Sequence, residues 1–151
     1  MVRDSAIERR AVRELQRTLA GVYAPFALQK HGTDFTLRAL SGPCRALRVE
    51  LKATETPIGN AWSWTACGTA RNGKPHSLWS QCRAAGSGVL LLAFKRGSGR
   101  RRFFVVGLAA ARRAAVRALQ KQCLQRTMAS LTRLFGEPIG AEELAVRLAA
   151  L

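Results

Sequence analysis

The sequence predicts an α/β domain: a central mixed β-sheet flanked by helices, with extra helices at the C-terminal end. Three observations carry this. Hydrophobic periodicity alternates between a helical step and a strand step in the order helix, three strands, helix, strand pair, helix, which is the ordering of a layered α/β fold. The chain has 151 residues of which 48% are hydrophobic, enough for one domain with its own core. No internal repeat or low-complexity tail interrupts the pattern. Residues 1–108 read as the core, and residues 109–151 as a helical extension packed on the same domain.

The first element is a helix over "SAIERRAVRELQRTLA", residues 5–20, with Ser5 suited to cap its start and Gly21 to end it. At about 100° per residue, Ile7, Ala11, Val12, Leu15 and Leu19 share one face, and Arg9, Arg10, Arg13 and Arg17 oppose it. Glu8 lands about 25° from the centre of the apolar face, where a lone carboxylate is costly without a partner or a metal. "VYAPFALQK" reads as a short strand and "DFTLRAL" as a second, with Asp34 at its first position. After the turn "SGPC" comes a third strand, "RALRVELKA". Its period of two sets Val49 and Leu51 on one face and Arg48, Glu50 and Lys52 on the other.

Residues 57–76, rich in Gly, Asn and Pro, read as loop. "SLWSQCRAA" follows as a short helix capped by Ser77 and closed by Gly86. "GVLLLAFKR" is a buried strand joined through "GSGR" to a hairpin partner, "RRFFVVGL". One long helix is expected from Ala109 to Phe135, with Val116, Leu119, Cys123 and Leu131 facing the core. After "GEPIG" the last helix is "AEELAVRLAAL".

Charge narrows the partners. Lys and Arg number 25 against 9 Asp and Glu, a net charge of +16, and the pI is about 11.5. A folded domain this basic is suited to a polyanion, above all nucleic acid, DNA or RNA. No apolar run reaches membrane-spanning length, so no membrane partner is expected, and the first ten residues lack the apolar segment of a secretory signal. Cys44, Cys67, Cys82 and Cys123 are widely spaced and form no CxxC pair. They read as reduced thiols, and with the missing signal they point to a cytoplasmic location.

The acids are scarce and oddly placed. Between Leu15 and Gly136 the only ones are Asp34, Glu50 and Glu55. Asp34 opens one strand, and Glu50 stands two places before Lys52 on the next. Carboxylates on adjacent strands suit a hard divalent cation, Mg²⁺ or Mn²⁺. Such a cation activates water and polarises a phosphodiester, while a neighbouring lysine can hold the attacking water or neutralise developing charge.

At "TD" (Thr33-Asp34) and "ELK" (Glu50-Leu51-Lys52) the chain resembles the PD-(D/E)xK nuclease superfamily, with Thr33 in place of the usual proline. "SAIERRAVREL" is similar to the first helix of archaeal-type Holliday junction resolvases, whose early acid Glu8 matches. Gln81 falls where superfamily members often carry a glutamine in the helix after the E-x-K strand. The resemblance covers residues 5–95. It implies a restriction-endonuclease-like nuclease core and a Mg²⁺-dependent DNA endonuclease selective for branched DNA, acting as a homodimer because a four-way junction is two-fold symmetric. Asp34, Glu50 and the Leu51 carbonyl would hold the metal, with Glu8, Lys52 and Gln81 completing the catalytic set.

Other readings of the same residues stand beside this one. Glu50 and Lys52 also suit an exposed cross-strand pair, Glu8 a helix-start residue bonded to local amides, and Trp62 and Trp64 either base stacking or core packing. Within enzymes the alternative is a restriction- or repair-type nuclease on duplex, and outside them a non-catalytic basic nucleic-acid-binding module. For phosphate contacts the candidates are Arg9 on the first helix, Lys95, Arg96, Arg100, Arg101 and Arg102 at the hairpin tip, and Arg113, Arg117 and Lys121 at helical spacing further on. No base-reading motif accompanies them, so shape rather than base sequence is the expected determinant.

Overall fold

A computed structural model describes residues 5–29, 34–42, 46–65, 67–69, 75–77, 80, 88–107 and 123–151. Helix α1 (Ser5–Thr18) comes first, then strands β1 (Phe35–Arg38), β2 (Ala46–Thr54), β3 (Ala61–Thr65), β4 (Cys67–Thr69), β5 (Pro75–Ser77), β6 (Val89–Phe94) and β7 (Arg102–Gly107). Strand β8 (Cys123–Thr127), helix α2 (Met128–Phe135), strand β9 (Ile139–Gly140) and helix α3 (Ala141–Ala149) complete the described chain.

Five strands form a mixed sheet in the order β1-β2-β6-β7-β9. The β2–β6 pair is parallel and the other three pairs are antiparallel. β6 lies at the centre and is buried on both faces, as its unbroken run VLLLAF foretells. Alternation along the strands sorts the core into two layers. On one face Val49, Leu51, Leu91 and Phe103 meet Ala11, Val12 and Leu15 of α1 and Leu144 and Leu148 of α3. On the other, Leu90, Leu92, Phe94 and Phe104 meet Trp62 and Trp64 of β3, Leu124 of β8 and Leu131 of α2. Phe94 and Phe104 stack at 5.4 Å between ring centres, and the Trp64 indole donates to the Ala93 carbonyl at 3.0 Å. The expected α/β class with a mixed sheet and flanking helices is therefore present. Among the described residues no helix is long and apolar enough to cross a membrane.

Four expectations change. Residues 22–29 form no strand. Pro25 lacks a ladder donor, and the segment's pairing is reduced to isolated bridges of Tyr23 with Ala20 and Ala39. The expected loop 57–76 instead contains β3, β4 and part of β5. "AWSWT" alternates with period two, and this buries both tryptophans as core residues. The long helix 109–135 does not hold across its described part: residues 123–127 are strand β8, paired antiparallel with β3. Leu, Gln and Arg are good helix formers, but the partner strand overrides that weak preference. A fresh helix, α2, then starts at Thr127, whose hydroxyl accepts from the Ser130 N–H. Ser77, expected as a helix cap, ends β5; the rest of that helix, apart from residue 80, and residues 109–122 lie outside the described residues.

Candidate active site

Strand register builds the site. Phe35 pairs with Val49 as the last rung between β1 and β2. One step further sets Asp34 opposite Glu50, and side chains of a directly opposed antiparallel pair share a face about 5 Å apart. The two carboxyl groups hydrogen-bond to each other. Since β1 ends short of Leu51, the Leu51 N–H has no rung there. It donates instead to Asp34 Oδ2 at 2.7 Å. A strand residue's N–H and C=O point to the same side, so the Leu51 carbonyl faces the same edge as the acid pair. Lys52, two residues after Glu50, lies on the Glu50 face.

Burial sets the electrostatics. Glu50 is only 5% exposed. Desolvation, then the Asp34 charge, pushes its carboxyl up to about 8, against the pull of Lys52, and Glu8 adds to the rise. Asp34 is raised as well, chiefly by desolvation, with its Leu51 hydrogen bond and Lys52 opposing. At neutral pH the pair therefore holds a proton between its oxygens. This donor set fits a hard divalent cation: two adjacent carboxyl groups with no arginine counter-charge among the described residues are oxygen ligands whose negative charge such a cation would satisfy. Among the described residues no group of three or more His, Cys, Asp and Glu side chains gathers closely enough to hold a metal ion. The donors on hand are thus Asp34, Glu50 and the Leu51 carbonyl. Glu8, half-buried, bears on Glu50 through its charge.

A second acidic cluster lies nearby, and the sequence reading missed it. Arg101 is buried, its side chain 2% exposed, and its Nε donates to Glu14 at 2.8 Å while its Nη2 donates to Glu55 at 2.8 Å. Arg10 donates to the other Glu55 oxygen at 2.8 Å. The Arg10 hydrogen bond, followed by Arg101, lowers the Glu55 carboxyl to about 2. Arg101 is consequently not a surface phosphate contact as expected; it ties the hairpin to α1 and to the end of β2. Its neighbour two along, Phe103, packs in the α1-side core. That alternation was the available signal: Arg101 shares a face with Phe103, whereas Arg102 shares one with Phe104.

The remaining candidates divide. Arg9 is exposed on α1. Lys95, Arg96, Arg100 and Arg102 surround the β6–β7 turn, with Arg96 stacked 5.7 Å from the Trp62 ring centre and Arg102 donating to the Pro138 carbonyl at 2.9 Å. Gln81, Arg113, Arg117 and Lys121 lie outside the described residues. No protein-family model, no curated protein and no solved structure matches this chain.

Proposed function

We propose that this chain is a metal-dependent DNA endonuclease with a restriction-endonuclease-like core, selective for branched DNA such as a four-way junction and acting as a homodimer. The single observation that carries the reading is the buried Asp34–Glu50 pair, assembled by strand register beside Lys52. Mg²⁺ or Mn²⁺ held by Asp34, Glu50 and the Leu51 carbonyl would supply Lewis-acid polarisation of a phosphodiester. The chain's own groups do the rest. Leu51 N–H fixes the Asp34 carboxylate in place before any ligand arrives. The Lys52 ammonium orients the attacking water and offsets charge developing on the phosphate. Among the described residues no arginine pairs with either carboxylate, which leaves them open to a cation rather than locked in an ion pair.

The test is cleavage of matched duplex, flap and four-way substrates with Mg²⁺ and with EDTA, alongside sedimentation of the free protein. Metal-dependent cutting concentrated on the four-way substrate supports the reading. Absence of cutting on all three with Mg²⁺ or Mn²⁺ removes it. The non-catalytic reading keeps one point in its favour, the proton shared by Asp34 and Glu50, which satisfies both carboxyls without a metal. Mn²⁺ titration separates the two, since only the nuclease should bind it through these residues.

A further inference from the structure

Two cavities flank the β6–β7 hairpin, and their charge differs. One, about 560 Å³, is bordered by Arg17, Arg100, Arg101 and Arg102 but also by Glu14, Glu142 and Glu143. The other, about 370 Å³, is bordered by Lys95, Arg96, Arg100 and Arg102, by no acid among the described residues, and by Asn60 and Trp62. A polyanion approaching the hairpin meets mixed charge on the first side and unopposed positive charge on the second. Arg101, tied inward to Glu14 and Glu55, borders only the first side, whereas Arg100 and Arg102 border both. The Trp62 ring holds Arg96 in place, so less side-chain freedom is lost when that guanidinium meets a phosphate.

We infer that the acid-free cleft between the hairpin turn and β3 is a binding site for the phosphodiester backbone of one DNA strand. Its volume is that of a ligand pocket rather than of a whole duplex. Asn60 adds an amide able to donate to phosphate or sugar oxygens.

Register also fixes where the cleft lies relative to the acid pair, and this part rests on the endonuclease reading. Thr54, Phe94 and Arg102 form one cross-strand row, four residues along β2 from Glu50 and on its face. That is about 13 Å along the strands and two spacings of about 4.8 Å across, roughly 16 Å in all. At 3.4 Å per nucleotide the bound backbone lies about four to five nucleotides from the bond at Asp34 and Glu50.

The experiment is fluorescence anisotropy with a labelled oligonucleotide duplex over a salt series in EDTA, which needs no cleavage. Arg96→Gln with Arg100→Gln should lower the slope of log K against log salt by about 0.9 per lost phosphate contact. Arg133→Gln with Arg147→Gln removes the same charge from α2 and α3 and should lower it much less. Equal slopes for the two double variants, or an unchanged slope for the first, overturn the cleft. So does an oligoglutamate of equal charge that binds as tightly as the DNA, because the site would then be one for acidic peptides. On a cleaved substrate, phosphate-ethylation interference should map four to five nucleotides from the cut; interference centred at the cut overturns the offset alone. A protein that never cleaves but shows the slope change loses the endonuclease reading and keeps the cleft.

Discussion

The two acidic clusters make a natural comparison. Asp34 and Glu50 face each other with no arginine between them among the described residues, and burial keeps a proton on the pair. Glu14 and Glu55 lie closer to solvent, around Arg101 and Arg10, and Glu55 is ionised. In a chain with 25 Lys and Arg against 9 Asp and Glu, counter-charge is abundant. A carboxyl pair that no guanidinium among the described residues reaches is therefore the exception. The paired cluster closes an ion network; the other keeps a proton that a bound cation would displace.

The largest expected effect breaks the unpaired cluster. Asp34→Asn or Glu50→Gln should reduce single-turnover cleavage roughly a thousandfold or more, as loss of a preorganised transition-state contact does. DNA binding in EDTA should stay near that of the unsubstituted protein. Unreduced rates in both variants would remove these residues from the chemistry.

Next comes the paired cluster. Arg101→Ala takes the buried guanidinium from Glu14, leaves Glu55 with Arg10 alone and opens a gap beside α1. Losing these charge-assisted hydrogen bonds costs about 2 kcal/mol, seen as a lower midpoint in urea unfolding. Glu50→Gln should have the opposite sign above pH 8, raising the midpoint, because it removes a carboxyl that the fold charges only reluctantly. If both variants lose stability equally at pH 9, the contrast between the clusters is wrong.

The pH profile sharpens the same point. Glu50 is raised from 4.5 to about 8 in the folded protein. The folded state binds that proton more tightly than the unfolded chain, so its contribution to stability is complete below pH 4.5 and is lost as pH rises through about 8. Glu55 is lowered from 4.5 to about 2. Its contribution is complete above pH 4.5 and is lost as pH falls toward 2. Glu50→Gln should flatten the alkaline limb of a stability–pH curve and Glu55→Gln the acidic limb. Swapped or absent effects would overturn the assigned protonation states.

Glu8 has the smallest expected effect. It acts on Glu50 through charge across partly solvated space, and such a pair is worth at most about 1 kcal/mol in a water-like dielectric. Glu8→Gln should weaken Mn²⁺ binding by less than about tenfold. A larger loss would make Glu8 a direct ligand.

How far the sequence could be read follows from which forces are local. The β2 alternation was legible because Val49 and Leu51 against Glu50 and Lys52 is a period-two pattern needing no partner. The meeting of Asp34 with Glu50 was expected from adjacent strands, although the donor that holds Asp34, Leu51 N–H, depends on where β1 stops. Arg101 was misread because five basic residues at a turn look alike by composition, and only strand phase separates the one that turns inward. Strand β8 was illegible in "CLQRT" alone. Its conformation is dictated by β3, about sixty residues earlier in the chain, and neither segment announces the other.

The one-rung shortfall of β1 bears on how related chains can be recognised. What brings the two carboxyls together is a rung of the ladder, not the interval between them in sequence. The hairpin turn can gain or lose residues without parting the pair, because the loop absorbs the change while pairing is kept. A slip of a single rung would throw the acids to opposite faces. Distant kin of this chain should therefore share an acid placed one step before a short edge strand and opposite a buried glutamate, while the distance between the two drifts freely. Alignments that reward fixed spacing would pass over such kin, and ones anchored on strand pairing would find them.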